Sequence, residues 1–578
     1  MRLLQDQPKR MARERQLLEG HARSTSTFTL QGWSAEAEEL RVNFQLEMLK
    51  GTFDGVLVYP EFFPEVPAFV RPQRPGENWS THQYLGAGVL CLQYGPDNWH
   101  RDITGVDLVK SANTLLWSEL ISYVMPDLGP VSSRHVESAA LTLSRNRRRL
   151  VVTGAMLETL AGRGQSGPLP LKGAVALVAD ESVAMVTAMG DPFVALFDVP
   201  QVVAEEPAQY FLGVAVPVPS VSEIAGALDV NDLAHRMGEL WPWSDGIEDE
   251  SQLLVAHDAD GGICPFLLKG GSQPLFQRYH PLRCNTEDAQ RLPGSFKQLS
   301  EVSVAIVGVG SLGSKVAVSL ARAGVRQFLL VDDDVLGPQN LVRNELDWKD
   351  VGFSKVEAVR RALRLVAPNV EVKTRFARVA AQTNPSVEAG LTAELAACTL
   401  VVDATANPRG FLPLAALTKR AKASMVWGEI FAGGGGCLMA RSRPGRDADA
   451  LSVRTHIYGV MEGFAPPPKA KTEAYGVESA GTVYVASDAD VSALAGLMTQ
   501  FCLDTLCAED SDYPVAAYLI GFRKFWEFRC PFDVIPVDCS GAMQPEPDLP
   551  MSADDEASLA ALYRSISGGT SAANHGAD

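Results

Sequence analysis

The sequence predicts an α/β protein: a domain built on a parallel-rich sheet, preceded by an α+β unit, with a small mixed domain between them. Three observations predict it. From Val302 to about residue 510 the pattern runs strand, glycine turn, helix, strand, the alternation that builds a parallel sheet with crossover helices. The first 140 or so residues read instead as a charged helix, alternating segments and a second helix. Between these regions, short apolar runs are broken by Gly and Pro.

Taken in order, residues up to about 24 are charged throughout with helical spacing, and Thr27–Gly32 and Leu40–Met48 alternate like strands. A proline-rich stretch runs from Tyr59-Pro60 to Pro72, followed by Cys91, Trp99 and a helical period over Val106–Val124. These make a first domain over 1–140. The basic cluster Arg145–Arg149 reads as a solvated linker or helix end. A middle domain, 150–270, holds the runs Ala174–Val178, Ala184–Val186 and Tyr210–Val216 and no chemical motif. The third domain spans 275–545, with Tyr513–Cys539 packing back on it; 546–578, rich in Ser, Ala, Gly and Asp, reads as a flexible tail.

Composition narrows the function. The chain has 578 residues, with 51 basic against 69 acidic side chains and a formal charge of -18. A surface of that sign repels phosphate backbones and anionic lipids, so neither nucleic acid nor a membrane is the expected partner. Met1–Arg23 has no apolar core of a signal peptide, and no run is long and apolar enough to span a bilayer. Nine scattered cysteines without a Cys-x-x-Cys pair argue against a zinc knuckle or a thioredoxin-type site and fit a reducing cytoplasm.

A nucleotide site is legible from residue 302 onward. The apolar strand Val302–Val307 runs into Gly308-Val309-Gly310-Ser311-Leu312-Gly313 and then a helix. The first glycines allow a tight turn and close approach of the backbone; Gly313 lets the helix sit against the strand, and the helix N-terminus offers free N–H groups to a phosphate. A second strand ends at Asp332, about 20 residues on, where an acid that binds ribose is expected. That much fits a dinucleotide dehydrogenase equally well. The next segment does not: Asn340, Arg343 and Lys355 follow within some fifteen residues, and cations converging above a helix N-terminus suit a triphosphate and its leaving pyrophosphate.

Residues 276–510 resemble the ThiF-type adenylating superfamily, which includes the ubiquitin-activating enzymes. The glycine turn, Asp332-x-Asp334, Asn340-x-x-Arg343 and Gly-x-x-Lys355 stand in family order. The resemblance implies ATP, Mg²⁺ and a homodimer in which an arginine reaches the partner's nucleotide; Arg283 or Arg278, in Gln277-Arg278-Tyr279 through Arg283, fills that place. The family's Asp-x-Thr-Asp-Asn appears here as Asp403-Ala404-Thr405-Ala406-Asn407. Ala406 offers no ligand atom, so Asp403 or Asp334 is left to hold Mg²⁺, or catalysis is weaker than in the family. Where conjugating members carry a transfer cysteine the chain has Ser479, flanked by Gly476 and Gly481, and no cysteine lies between Cys437 and Cys502. Ser479 is therefore an ester-forming nucleophile, or an inert loop residue with the adenylate attacked directly, or a turn serine. Cys437, Cys502 and Cys507 read as core.

The first domain resembles the ubiquitin-conjugating fold in the order helix, strands, Tyr59-Pro60 flap through Pro64 and Pro67, Gly88-x-x-Cys91-Leu92, Trp99, helix. The resemblance makes Cys91 the acyl-carrying thiol. His82-Gln83-Tyr84 stands in place of the family's His-Pro-Asn, so a donor or base is sought in His100 or His82. The two resemblances together imply a fused activating and conjugating enzyme: ATP and the C-terminal glycine of a ubiquitin-like protein give an acyl-adenylate, and the acyl group passes to Cys91 and on to an amine of a protein target. Such fusions resemble those of bacterial antiphage operons. The rival readings are a sulfur-carrier adenylyltransferase without conjugation and a degenerate scaffold.

Overall fold

The computed structural model describes residues 2–36, 39–48, 51–84, 88–125, 146–164, 166–200, 209–244, 246–284, 292–382, 384–465, 476–479, 482–542 and 551–568. The chain forms two compact units, Met1–Thr142 and Leu143–Asp578.

The first unit is an antiparallel meander of β1 (Phe28–Glu36), β2 (Glu39–Met48), β3 (Gly51–Tyr59) and β4 (Phe69–Pro72), in sequence order. Leu40, Val42, Phe44 and Leu46 alternate inward from β2 and pack in one core with Leu18 of the helix Pro8–Ser24 and Leu108 of the helix Gly105–Val124. The buried carboxylate of Glu14 ties these layers. It accepts from Tyr59 Oη at 2.8 Å and Gly105 N at 2.7 Å, and pairs with Arg10 at 2.9 Å.

The second unit begins with a sheet that the sequence does not announce. Its strands are β5 (Arg148–Val152), β6 (Leu169–Val178), β7 (Glu181–Met189), β8 (Val194–Ala195), β9 (Gln209–Pro217), β10 (Gln252–His257), β11 (Ile263–Lys269), β12 (Leu275–Arg278) and β13 (His280–Arg283). The order is β12-β11-β10-β9-β6-β7-β5-β13, with β8 on β7. The two end strands are separated in sequence only by Tyr279, so the sheet closes on itself as a barrel. Tyr279 is buried in the core, and its hydroxyl shares a hydrogen bond with Ser182 Oγ.

Two sequence expectations are corrected here. Arg148 and Arg149 belong to a strand rather than a linker; β5 is too short for its period to stand out, and Arg149 pairs with Glu181 at 3.1 Å. Arg278 and Arg283, assigned from sequence to the third domain, are part of the barrel, because strand pairing with β11 and β5 captures that segment.

The third sheet contains β14 (Ser303–Val307), β15 (Gln327–Val331), β16 (Glu371–Arg375), β17 (Leu400–Asp403), β18 (Ser424–Phe431), β19 (Gly436–Ser442), β22 (Ala517–Gly521) and β23 (Val534–Val537). Its order is β16-β15-β14-β17-β18-β19-β22-β23; β16 through β18 run parallel and the rest antiparallel. Both faces are covered. Val304 and Ile306 of β14 pack with the helices Ser311–Ala323, Lys355–Val366 and Asp488–Cys507, while Ala305 and Val307 pack with Pro385–Ala396, Pro408–Ala421 and Ala450–Glu462. A separate hairpin pairs β20 (Gly476–Ser479) with β21 (Thr482–Val485).

Two further corrections concern the C-terminal part. Within the expected flexible tail, Ala553–Gly568 is a helix, begun by Ser552 and Asp555, whose side chains bond each other at 2.6 Å. Leu559, Leu562, Tyr563 and Ile566 recur on one exposed helical stripe that composition alone hides. Cys507 is the last residue of its helix and only half-buried, whereas Cys437 and Cys502 are fully buried.

Candidate functional site

A cavity of about 340 Å³ opens where the strand order reverses, beyond the carboxyl ends of β14, β15 and β17. Gly308 makes the turn with φ of +83°, and the helix Ser311–Ala323 begins directly after Gly310. A Cβ on Gly313 would lie 1.9 Å from Gly308 O, so only glycine permits this helix to approach the turn. At Gly310 a Cβ would meet no protein atom; the position lines the cavity instead.

The walls are set by short-range bonds. Asp332 accepts from Val309 N at 2.8 Å and Asp334 N at 2.9 Å, which fixes the acid against the glycine turn. Burial pushes the Asp332 carboxyl above its usual range, against those bonds and the nearby Lys355. Lys355 opens its helix and pairs with Asp334, and this bond holds the Asp334 carboxyl below its usual range. Opposite, Asp403 ends β17 almost fully buried. Its Oδ1 accepts from Thr405 N at 2.9 Å and Thr405 Oγ1 at 2.6 Å, yet burial still raises its carboxyl. Ala406 follows at φ of +51°, a left-handed conformation that Asp and Asn adopt more readily than Ala.

In the first unit, Cys91 lies on a short hairpin. Tyr84 N donates to Val89 O and Cys91 N to His82 O, both at 2.8 Å, around the bridge Gln83↔Leu90. This register puts His82, Tyr84 and Cys91 on one face. The Tyr84 hydroxyl hydrogen-bonds the Cys91 thiol; burial raises the thiol, the bond to Tyr84 lowers it and Asp97 raises it. An apolar cavity of about 510 Å³ adjoins, walled by Val66, Phe69, Tyr84, Val89, Leu92 and Tyr94. His100, the sequence candidate for donor, is exposed and faces Asp102 at 3.9 Å.

With this geometry described, similarity decides the third domain: residues 288–519 match the ThiF family. The chain carries a ThiF-family domain. It is also similar to ubiquitin-like modifier-activating enzyme 5 of Caenorhabditis briggsae, 35% identical over 95 residues, or 16% of this chain and 22% of that protein. The same enzyme of Culex quinquefasciatus is 38% identical over 79 residues, 14% of this chain and 20% of that one. The chain thus spans about a fifth of the length of the curated relatives it matches. Among solved structures it is similar to PaaA, with 19% identity and a TM-score of 0.33 over 42% of this chain and 75% of that one. It is likewise similar to E. coli MccB with ATP, with 16% identity and a TM-score of 0.32 over 42% and 66%.

In the ThiF domain the fold brings Gly308, Gly310, Asp332, Asp334 and Lys355 to one cavity. Asn340 and Arg343 are not among its lining residues. Asn340 Oδ1 turns inward to accept from Gly337 N at 2.8 Å, and Arg343 reaches Ala486 O at 3.1 Å, on the segment between β21 and its following helix. Asp403 lies beneath the cavity floor of Ala404, Thr405 and Asn407. Arg278 and Arg283 bond Ala225 O and Gly261 O within the barrel. Ser479 ends β20, where its backbone pairs with Thr482; Gly481 lies outside the described residues. Sequence reasoning missed Arg378, which lines the cavity and pairs with Asp333 at 3.0 Å, and Tyr84. Arg378 had one usable signal, a cation three residues past a parallel strand, at the level of Asp332.

Proposed function

We propose that the chain adenylates the C-terminal glycine of a ubiquitin-like protein with ATP and transfers the acyl group through Cys91 to an amine of a protein target. The observation that carries this reading is the convergence of the glycine turn, Asp332 and Lys355 on one cavity of the ThiF domain. The sequence relatives named for activating ubiquitin-like modifiers support it.

The cavity lining supports a nucleotide there. Asp332 would accept from ribose hydroxyls with the lone pairs left by Val309 N and Asp334 N, the helix behind Gly310 would offer its N-terminal N–H groups to phosphate, and Lys355 would supply a cation by exchanging Asp334 for a phosphate oxygen. Asp334, which lines the cavity, or Asp403, whose Oδ1 is committed to Thr405, would hold Mg²⁺. Such a metal neutralises charge on the phosphates. Arg343, bonded to Ala486 O, ties the loop after β15 to the segment that follows the Ser479 hairpin and would help to position that hairpin. Activation turns a carboxylate into a mixed anhydride, a better acyl donor. In this reading Ser479 takes the acyl group as an ester, or the adenylate is attacked directly; the lack of any cysteine between Cys437 and Cys502 favours these over a thioester on the ThiF domain. A reducing cytoplasm, a homodimer with Arg283 or Arg278 reaching the partner's nucleotide, and a role in antiphage defence belong to the same proposal. All nine cysteines are free.

The test is ATP–pyrophosphate exchange with a panel of ubiquitin-like proteins ending in glycine. Exchange is expected with one of them and is lost, by roughly a hundredfold or more, in Lys355→Ala while the fold is retained. Exchange that survives in Lys355→Ala, or that ignores removal of the terminal glycine, overturns the reading.

A further inference from the structure

We propose that Tyr84 is the hydrogen-bond donor of acyl transfer at Cys91, holding the resting thiol and then donating to the oxyanion formed when the thioester is attacked. This rests on the reading of Cys91 as acyl carrier. Three observations carry it. The hairpin register puts Tyr84 and Cys91 on one face, and the phenol hydroxyl bonds the thiol. Tyr84 also lines the edge of the apolar cavity while 45% of its surface stays exposed, so the residue is open to an acyl group carried on Cys91. Finally, His100, the sequence candidate for donor, is exposed and faces Asp102 at 3.9 Å, whereas Tyr84 bonds the thiol itself.

The chemistry follows from bond lengths. In a thioester the carbonyl oxygen is attached to the carbon that bears sulfur, so a donor bonded to the sulfur reaches that oxygen by a small rotation. The amine nitrogen attacks the carbonyl carbon, and the C=O pair moves onto oxygen, where the Tyr84 O–H donates without giving up its proton. Collapse reforms C=O and breaks the C–S bond. Cys91 departs as thiolate, and the proton of the new ammonium goes to water. The groups facing Cys91 are Tyr84, Asp97 and, across the hairpin, His82.

The full-length chain and its Tyr84→Phe and Tyr84→Asn variants test this in two arms. In the first, alkylation of Cys91 by iodoacetamide is followed against pH by mass spectrometry. Loss of the donor is expected to move the Tyr84→Phe profile to higher pH; superimposable profiles overturn the resting bond. In the second, Cys91 is charged from a peptide thioester ending in glycine and discharged to free lysine. Tyr84→Phe is expected to charge normally but discharge roughly 10- to 100-fold more slowly, with partial recovery in Tyr84→Asn. Equal discharge rates overturn the role of Tyr84 while leaving Cys91 as the acyl carrier. Failure of the unmodified chain to charge while iodoacetamide still reaches Cys91 overturns the acyl-carrier reading instead, and the inference with it.

Discussion

Asp403 shows how one residue can carry a stability cost that a function would explain. It is almost fully buried, and its bonds from Thr405 do not offset desolvation. Its carboxyl is raised in the fold, so the folded state holds the proton more tightly than the unfolded chain. The stability this group contributes is complete below about pH 4 and is lost as pH rises through the folded value. Asp403→Asn keeps an oxygen for Thr405 and removes the buried charge. At pH 7 the variant should be more stable by roughly 1 kcal/mol, and the gain should vanish below about pH 4. Thermal melts at the two pH values measure this, and pyrophosphate exchange measures the cost to activity if Asp403 holds the metal. Equal melts at pH 7 would show that folding does not raise the Asp403 carboxyl. Asp334 has the opposite sign: Lys355 depresses it, so its contribution is present above about pH 4 and lost as pH falls.

At the scale of elements, the helix Asp488–Cys507 is fixed at its N-terminus by a capping box. Ser487 N and Ser487 Oγ both donate to Asp490 Oδ2 at 2.8 Å, and Arg523, beyond β22, donates to the same oxygen at 3.0 Å. The helix starts three residues after β21, so the cap also anchors the hairpin of Ser479. Asp490→Ala should cost about 1–3 kcal/mol, through the lost cap and an Arg523 without its carboxylate. Asp490→Asn, which keeps the cap acceptor, should recover part of it. Calorimetry of the two variants decides; equal losses would place the whole effect in the ion pair.

At the scale of the molecule, the separate cores of Met1–Thr142 and Leu143–Asp578 predict more than one cooperative transition. Glu14 provides a selective probe. Glu14→Ala leaves Tyr59 Oη, Gly105 N and Arg10 without their buried acceptor and should destabilise the first unit by about 3–5 kcal/mol. In a calorimetric scan one transition should fall while the others stay. A uniform shift of every transition would show that the units unfold together.

The sequence by itself determined what is local. Gly308, Gly310, Asp332 and Lys355 were legible because a strand, a tight turn and a helix N-terminus impose steric and hydrogen-bonding demands within a few residues. β2 was legible from its strict alternation, and the order of neighbours around Cys91 singled that residue out for the proposal above. Only the tertiary structure decided what depends on register between distant segments. The barrel closes because β12 and β13 find β11 and β5, pairings that no local pattern encodes. Arg343 and Asn340 look from sequence like phosphate ligands; the fold leaves them outside that cavity's lining and bonds them to Ala486 O and Gly337 N. Tyr84 meets Cys91 through a cross-strand pairing, and Arg378 meets Asp333 across neighbouring strand ends. The physical reason is common to all of these: a side chain's intrinsic chemistry is written in the sequence, whereas its partner is selected by pairing and packing energies summed over the whole fold.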